Sequence, residues 1–257
     1  TLAADASIEF RSPPPTGEVH LWSPPDEPTR MGRMYTDGLA LVSSSEMERF
    51  NNIRSAKAAQ RFLLGRILMR RVLASYLEQD PRGLEFRHNA NGKPELVKPI
   101  VCPISFNLSH SNTHIVLAVA RTSAIGVDIE QMDRADAAHK ISRRLFSRAE
   151  IRDLEALGAN ASERALMLWA LKESIVKANG DTVWDGLARI SITMEGGRIN
   201  WASSYKSDDA MWQLAGGVFR ESCFLALAIK SRSQLFAEPL VFHTYQIGGR
   251  LSEKIPF

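Results

Sequence analysis

Cysteine is almost absent from this sequence. The 257 residues contain two cysteines, Cys102 and Cys223, and no CxxC pair. Two cysteines cannot build the disulfide framework of a small secreted domain, and they do not supply the paired ligands of a structural zinc site. The sequence therefore predicts a protein of the reducing cytoplasm.

Long hydrophobic runs and a strong charge of one sign are also missing. The longest apolar runs, Ile115 to Ala120 and Cys223 to Ile229, are far shorter than the ~20 residues that cross a bilayer. The net charge is only +3, and no dense basic stripe carries aromatic side chains. Membrane and nucleic acid are therefore not expected partners. With 44% hydrophobic residues, the composition is that of an ordinary globular protein, which we expect to be monomeric.

The glycine patterns that bind phosphate are absent as well, since the sequence contains neither a P-loop nor a dinucleotide-binding fingerprint. His110 and His114 have a zinc-binding spacing that works on a helix, whereas this segment is a turn entering a strand. Ser109 lacks the glycine-flanked turn that aims the serine of a hydrolase. Any phosphate bound by this protein must therefore be held by side chains.

One predicted strand carries a pair of carboxylates. Val127 and Ile129 alternate with Asp128 and Glu130, so one face is apolar and the other holds two carboxylates about 6.5 Å apart at their Cα atoms. This arrangement suits Mg²⁺, which binds one or two protein carboxylates and completes its shell with water and phosphate oxygens. A half-buried strand with a solvated face shows the same pattern, so these residues alone leave both interpretations open.

A long helical stretch carries a basic stripe. Ser45 and Glu48 form a capping-box pattern that opens this stretch. Arg54, Lys57 and Arg61 follow at spacings i, i+3 and i+7, which predict one shared helix face. Such a face is either solvated or able to clamp a phosphate.

A second helix is predicted from Asn160 to a glycine stop at Gly180. Trp169, Glu173 and Lys177 are each four residues apart and form one stripe on it. Glu173 and Lys177 could form an ordinary surface ion pair, but the tryptophan favours a buried or walled site.

Four motifs occur in a fixed order: GKP at Gly92 to Pro94, FNLSHS at Phe106 to Ser111, GVDIE at Gly126 to Glu130, and WALKESIVK at Trp169 to Lys177. An FS..E pattern also occurs at Phe146 to Glu150. Together they resemble the 4′-phosphopantetheinyl transferases of the Sfp type. The resemblance covers roughly Ser45 to Lys230, and the ordered set is far more specific than any single motif.

This resemblance implies an α+β fold, the 4′-phosphopantetheinyl transferase fold, with two similar pseudo-symmetric halves and the active site in the cleft between them. Residues 1–121 would form the half with the basic helix and the GKP loop. Residues 122–257 would form the half with the metal strand, the Trp169–Lys177 helix and a set of antiparallel strands. We expect Asp128 and Glu173 to lie at a wet cleft rather than in the core.

The resemblance also implies the ligands. Mg²⁺ or Mn²⁺ would be held by Asp128, Glu130 and Glu173, while Lys177 and His110 would face the pyrophosphate of the substrate, coenzyme A. The other predicted contacts with CoA are Arg61 at the 3′-phosphate, together with Arg49, Arg54, Ser109, Gly92, Lys93 and Pro94.

One position departs from the family pattern. Sfp-like members carry two lysines ahead of the 3′-phosphate arginine, and this chain has Glu46 and Arg49 there. Some of the residues that would hold the 3′-phosphate are therefore not identified by the resemblance, and Arg54 and Lys57 are candidates for this role.

The implied reaction is transfer of 4′-phosphopantetheine from CoA to a serine hydroxyl of an acyl or peptidyl carrier protein, with release of 3′,5′-ADP. Glu173 would act as the base, and Lys177 and His110 would assist. Two alternatives stay open: a Mg²⁺-dependent phosphohydrolase acting on a CoA-like or nucleotide substrate, and a non-catalytic CoA-binding module.

A basic segment, Arg134 to Arg148, is the predicted docking surface for an acidic helix of the carrier protein. Its charged residues are His139, Lys140, Arg143, Arg144 and Arg148, and its apolar edge consists of Met132, Leu145 and Phe146. A solvated helix face would show the same composition.

Overall fold

The computed structural model describes residues 12–98, 104–182, 187, 189–195, 198–203, 211–231, 241–247 and 249–250. Its α-helices are α1 (Pro28–Gly38), α2 (Ser44–Asn51), α3 (Ala56–Leu77), α4 (Ala135–Leu145), α5 (Arg148–Leu157) and α6 (Ala161–Asn179). Its strands are β1 (Glu18–Ser23), β2 (Glu85–His88), β3 (Pro94–Lys98), β4 (Ser105–His110), β5 (Ile115–Ala120), β6 (Ala124–Gln131), β7 (Ile190–Glu195), β8 (Arg198–Ser203), β9 (Met211–Phe219), β10 (Cys223–Ser231), β11 (Val241–Gln246) and β12 (Gly249–Arg250). Cys223 is a buried free thiol, and Cys102 lies outside the described residues.

The two halves of the chain repeat one order of elements. Each begins with a strand and continues through two shorter helices, one long helix, a two-stranded hairpin and two further strands. The first sheet contains the antiparallel order β1-β5-β4, and the second has the matching order β6-β10-β9. The prediction of an α+β fold with two similar halves is confirmed.

Three hydrophobic clusters arrange these elements in layers. One cluster joins α3 to the first sheet and a second joins α6 to the second sheet. The third lies between the two sheets. In β5, Leu117 and Val119 belong to the cluster with α3, whereas Val116 and Ala118 belong to the cluster between the sheets, as the alternation of side chains along a strand requires.

The helix starts differ in part from the prediction. Ser43 and Glu46 form the capping box of α2, so the prediction of Ser45 and Glu48 is wrong by two residues. Ser55 caps α3 by accepting from the Ala58 N–H at 3.4 Å. Arg54 therefore lies before the helix and does not share a helix face with Lys57 and Arg61.

The chain returns to its first sheet near the end. β11 pairs in parallel with β1, and β12 adds to the edge of β11. No structure was predicted there. The first sheet thus draws on residues from both ends of the chain, and the boundary at residues 121 and 122 stays a prediction. None of the described helices has the length and hydrophobicity to cross a membrane.

Candidate active site

The two halves meet where β4 and β6 lie side by side without forming a ladder. Side chains of β4 make the connection. Asn107 Oδ1 accepts from the Val127 N–H at 2.9 Å, and Ser109 Oγ accepts from the Ile129 N–H at 3.3 Å. Both side chains are buried, so they satisfy backbone groups of β6 at the edge of its sheet. The FNLS segment thereby fixes the carboxylate strand against the first half.

Gly126 allows α6 to pack directly onto β6. A Cβ atom at this position would lie 1.9 Å from the carbonyl oxygen of Ser174 and 2.5 Å from the backbone nitrogen of Ala178. Any side chain here would push the helix backbone away. Because Glu173 and Lys177 flank this contact in α6, the glycine brings both side chains onto the carboxylate face of β6.

Asp128 and Lys177 form the centre of the site. Lys177 Nζ donates to Asp128 Oδ1 at 2.5 Å and to Ser109 Oγ at 3.0 Å. The Ser109 hydroxyl in turn donates to Asp128 Oδ1 at 3.0 Å. The contact of Lys177 with Glu173 Oε2 is longer, at 3.6 Å. The structure therefore favours a walled site over a simple surface pair for Glu173 and Lys177.

Burial of this centre is deeper than expected. Asp128 is only 3% exposed, so the expectation that it lies at a wet cleft is wrong. The reason is that α6 covers the carboxylate face of β6 where solvent was expected. Glu173 is partly buried, with a side-chain exposure of 13%.

Glu130 is held on both of its oxygens. The Trp169 indole N–H donates to Oε1 at 3.2 Å, and Arg134 Nη1 donates to Oε2 at 2.7 Å. Trp169 therefore belongs to the wall of the site, as its place in the stripe with Glu173 indicated. Both contacts restrict the orientation of the second carboxylate of the D-x-E strand.

Electrostatics set the protonation of the site. Burial, followed by repulsion from Asp128 and Glu130, raises the pKa of Glu173 to about 7, although Lys177 opposes this shift. Burial and Asp128 also raise the pKa of Glu130. Burial alone would lower the pKa of Lys177, but Asp128 and Glu173 outweigh it, so the lysine pKa is raised and the side chain stays charged. The three carboxylates outnumber the two cations that contact them, Lys177 and Arg134, and this excess of negative charge attracts a further cation.

The donors of this site suit a hard divalent cation. Asp128 Oδ2 is buried and has no hydrogen-bond partner among the described residues. Carboxylate oxygens of this kind are the ligands that Mg²⁺ prefers. Within the described part of the chain, no three acidic, histidine or cysteine side chains already form a metal-binding group, and Lys177 lies against Asp128 instead. The residue types and their charge therefore fit a metal, while the side chains stand in a lysine-bridged arrangement.

The predicted phosphate contacts lie on the α3 side of the same seam. Arg61 Nη1 donates to the carbonyl oxygen of Ser111 at 3.4 Å, which places the guanidinium beside the turn after β4. His110 precedes that turn. Burial, followed by the charges of Arg61 and Lys177, lowers the pKa of His110, so its imidazole is neutral at pH 7.

The GKP loop connects the first half to the end of α6. Lys93 Nζ donates to the carbonyl oxygen of Lys177 at 2.6 Å. The side-chain amide of Asn91 donates to the carbonyl oxygen of Gly180 at 2.7 Å. Gly92 has a φ of 84°, which favours glycine over residues with a side chain. Burial lowers the pKa of Lys93 to about 8. The loop therefore bridges the cleft, and its lysine contacts backbone oxygens.

A separate cavity of ≈ 160 Å³ opens beside Arg61 at the ends of β1 and β5. Met31, Leu64 and Ile115 supply apolar walls, and Lys57 and Arg220 supply charge. None of the three predicted metal carboxylates lines this cavity. Arg61 lines this cavity and also contacts the Ser111 carbonyl oxygen, so the cavity adjoins the predicted phosphate end of the site.

Sequence reasoning missed several residues that build the site. Asn107 received no role, although its place two residues before Ser109 on one strand face was a usable signal. Arg134, which donates to Glu130 Oε2, was assigned only to the docking segment. Arg49, which was predicted, donates to His88 Nε2 at 3.0 Å, and that contact joins residues 39 positions apart. No local pattern in the sequence indicates it.

Two family models match the chain. Residues 124–226 match the model described as the 4′-phosphopantetheinyl transferase superfamily. Residues 22–122 match the model described as 4′-phosphopantetheinyl transferase, N-terminal. The two matches together cover both halves of the fold, including β4, β6 and α6.

Similar proteins carry related names. The 4′-phosphopantetheinyl transferase HetI from Nostoc sp. is 30% identical over 218 residues, which cover 82% of this chain and 87% of that protein. A 4′-phosphopantetheinyl transferase from Bacillus subtilis is 34% identical over 143 residues, covering 55% of this chain and 62% of that protein. A solved holo-(acyl-carrier-protein) synthase from Bacillus anthracis, in complex with CoA (3′,5′-ADP), is similar with a TM-score of 0.37 and 20% identity, covering 42% of this chain and 96% of that chain.

Proposed function

We propose, because the chain belongs to the 4′-phosphopantetheinyl transferase family, that it transfers 4′-phosphopantetheine from CoA to a serine hydroxyl of an acyl or peptidyl carrier protein. The observation that carries this proposal is the centre formed by Asp128 and Lys177 at the seam, to which Glu130 and Glu173 add carboxylates. The pyrophosphate of CoA needs cations, and this centre supplies one ammonium group and the donors for a second cation.

In the proposed step, the serine oxygen of the carrier protein forms a bond to the β-phosphorus of CoA. The bond from that phosphorus to the bridging oxygen breaks, and 3′,5′-ADP leaves with the oxygen. Glu173 takes the serine proton, directly or through one water. Burial raises the pKa of this carboxylate, which favours its role as a base, while Lys177 and a bound cation act in the opposite direction. Lys177 stabilises the negative charge that develops on the leaving phosphate.

Asp128, Glu130 and Glu173 are the proposed ligands of Mg²⁺ or Mn²⁺. When bound, the metal supplies further neutralisation of the pyrophosphate charge. The protein contributes a dry setting, because α6 covers Asp128, and a fixed second donor, because Trp169 and Arg134 orient Glu130. The neutral imidazole of His110 is proposed to donate a hydrogen bond to the phosphates.

The variant Arg61→Ala tests whether this arginine contacts the 3′-phosphate of CoA. Replacing Arg61 with alanine should weaken CoA binding by about tenfold or more, the scale of one lost charge-assisted hydrogen bond, and should leave dephospho-CoA binding nearly unchanged. The physical reason is that dephospho-CoA lacks the 3′-phosphate that Arg61 is proposed to contact. The measurement is titration calorimetry with both ligands on each protein.

His110→Ala serves as the companion variant, because His110 is proposed to face the pyrophosphate that both ligands carry. It should weaken binding of CoA and dephospho-CoA alike. Equal losses for the two ligands in Arg61→Ala would show that this arginine belongs to a solvated helix face.

The carrier protein is proposed to dock on the exposed basic side of α4. Lys140, Arg143 and Arg144 are exposed there. Leu145 and Phe146 are buried in the core with α6, so the expectation that they form an apolar edge of the docking surface is wrong. Met132 is half-buried and packs against the same core. Charge therefore carries the proposed docking.

Reversing Arg143 and Arg144 to glutamate should raise the KM for the carrier protein by about tenfold at low salt and leave the KM for CoA nearly unchanged. Each reversal repels the acidic helix of the carrier during encounter. Steady-state kinetics with both substrates measure the effect, and added salt should narrow the gap to the parent protein.

A matched control reverses Arg33 and Arg82, which are exposed on the other half and carry the same change in net charge. This variant should keep the parent KM for the carrier. If the α4 variant also keeps it at low salt, the carrier docks elsewhere.

The proposed reaction is tested by the intact mass of an apo carrier protein after incubation with CoA and Mg²⁺. Addition of the phosphopantetheine mass supports the transferase. CoA cleavage without a carrier adduct would indicate a phosphohydrolase, and binding without either product would indicate a CoA-binding module. The comparisons with known proteins favour neither alternative. A monomeric state and a cytoplasmic location remain expectations from the sequence.

A further inference from the structure

The GKP loop holds the C-terminal end of α6 from the opposite half of the molecule. Lys93 Nζ donates to the carbonyl oxygen of Lys177 at 2.6 Å and to that of Ile125, near the start of β6, at 3.4 Å. The side-chain amide of Asn91 donates to the carbonyl oxygen of Gly180 at 2.7 Å. These donors belong to the turn between β2 and β3, and their acceptors all belong to the second half. The turn therefore links the two halves at the end of the helix that carries Glu173.

The carbonyl oxygen that Lys93 binds belongs to the residue at the centre of the site. Lys177 Nζ donates to Asp128 Oδ1 at 2.5 Å and to Ser109 Oγ at 3.0 Å. Lys177 lies in the last turn of α6, where carbonyl oxygens lack partners further along the helix. Lys93 thus holds the backbone of Lys177, while Asp128 holds its ammonium group.

The charge of Lys93 suits the end of a helix. Lys93 is half-buried, and within the described part of the chain no carboxylate forms an ion pair with it. Glu95, two residues further on, pairs with Arg87 at 3.0 Å. Burying an ammonium group without a counter-charge costs free energy. The partial negative charge at the C-terminus of α6 offsets this cost, and a neutral side chain would not gain from it.

The direction of the Lys93 side chain separates it from the phosphates of the substrate. Two of the three N–H groups of its ammonium are used by the carbonyl oxygens of Lys177 and Ile125. The side chain therefore contacts the backbone of the second half, and the predicted contact of the loop with CoA is left to its backbone.

We propose that Lys93 is a positioning residue for the transfer reaction: its ammonium group fixes the last turn of α6 so that Lys177 Nζ stays at Asp128. This inference rests on the proposed function. Lys93 acts through Lys177 and does not touch the reacting atoms.

Lys93→Met tests this role, because methionine keeps an apolar stem and removes the donor. A misplacement of about 1 Å in a catalytic group can cost about a hundredfold in rate. We expect the rate of transfer at saturating CoA to fall about tenfold to a hundredfold, and the dissociation constant for CoA to change by less than about threefold. Single-turnover transfer, followed by the intact mass of the carrier protein with enzyme in excess, gives the rate. Titration calorimetry gives the dissociation constant.

A double variant shows whether Lys93 acts through Lys177. In a Lys177→Met background, no ammonium group is left at Asp128 for Lys93 to position. Adding Lys93→Met should therefore lower the residual rate by less than about threefold, far less than it does in the parent protein. A contact that serves stability alone would lower the free energy of unfolding and leave the rate of the folded protein unchanged.

Chemical rescue keeps the test decisive if methionine is not tolerated. Lys93→Cys should lose activity, and alkylation with bromoethylamine, verified by mass, restores an ammonium group at the length of a lysine side chain and should recover most of the rate. The parent protein, treated in the same way, controls for alkylation of Cys102 and Cys223. Arg87→Met is the matched control, because Arg87 is an exposed cation of the same hairpin, and it should transfer at the parent rate.

A weaker affinity for CoA at an unchanged transfer rate would show that the Lys93 ammonium group contacts CoA, and would overturn the inference. An unchanged rate in Lys93→Met, additive losses in the double variant or a failed rescue would also overturn it. Each of these results leaves the proposed function in place. A parent protein that transfers no phosphopantetheine would overturn the proposed function, and the inference with it.

Discussion

Replacing Asp128 with alanine should abolish phosphopantetheine transfer while the protein stays folded. The substitution removes the acceptor that holds Lys177 Nζ at 2.5 Å, and it removes one of the three proposed metal ligands. Loss of metal-assisted charge stabilisation costs several kcal/mol in the transition state, and about 1.4 kcal/mol corresponds to a tenfold change in rate. We therefore expect a fall of at least ~10³-fold in kcat/KM, measured by the mass shift of an apo carrier protein.

Glu173→Gln should show a loss of similar size, because the amide can neither take the serine proton nor bind a hard cation as a carboxylate does. Asp133→Ala is the matched control, since Asp133 is an exposed carboxylate just beyond the same strand. Circular dichroism verifies the fold of each variant. A folded Asp128→Ala protein that retains transfer would show that the metal assignment is wrong.

The D-x-E strand shows what sequence alone can and cannot establish about the site. The alternation of Val127 and Ile129 with Asp128 and Glu130 predicts the two faces of β6 correctly, and the apolar pair lies in the core between the sheets. The same alternation says nothing about what covers the polar face. The approach of α6 through Gly126 depends on packing between distant segments, which a strand pattern does not contain.

The type of motif that begins each helix could be predicted from the sequence, but the residue at which the helix begins could not always be predicted. The serine and glutamate of the FS..E pattern, Ser147 and Glu150, form the capping box of α5, and the predicted glycine stop, Gly180, ends α6 in the left-handed region with a φ of 78°. Three consecutive serines, Ser43 to Ser45, lie at the start of α2, so the pattern alone could not decide which one caps it. The structure selects Ser43, whose partner Glu46 also pairs with Arg70 in α3.

The pairing of β11 with β1 could not be predicted from local sequence patterns. β11 lies beside β1 although their first residues are separated by most of the chain, and the pairing is parallel. Parallel pairing of strands so far apart leaves no turn or hairpin signal between them. The resemblance predicted the two halves and the order of their motifs, but it did not extend to this strand.

The largest expected effect on stability lies at a buried ion pair. Lys172 Nζ donates to Glu150 Oε2 at 2.8 Å, and both side chains are fully buried. Replacing Lys172 with methionine leaves the Glu150 carboxylate buried without its counter-charge. Removal of one partner of such a pair costs about 3–5 kcal/mol. Urea unfolding should therefore show a loss of this size in the free energy of unfolding.

The second substitution, Glu150→Gln in the Lys172→Met background, should recover part of that loss, because it removes the unpaired buried charge. Recovery should be incomplete, since Glu150 accepts from both the Ile192 N–H and the Ser147 N–H, and a glutamine amide has only one oxygen to replace both acceptors. Lys140→Met on exposed α4 is the control and should change stability by no more than about 0.5 kcal/mol. If Lys172→Met costs less than about 1 kcal/mol, or the double variant is no more stable than the single one, the pair does not hold α5 against α6. The expected result would give the FS..E motif and the lysine before Glu173 a structural role: they fix the helix that presents the proposed base.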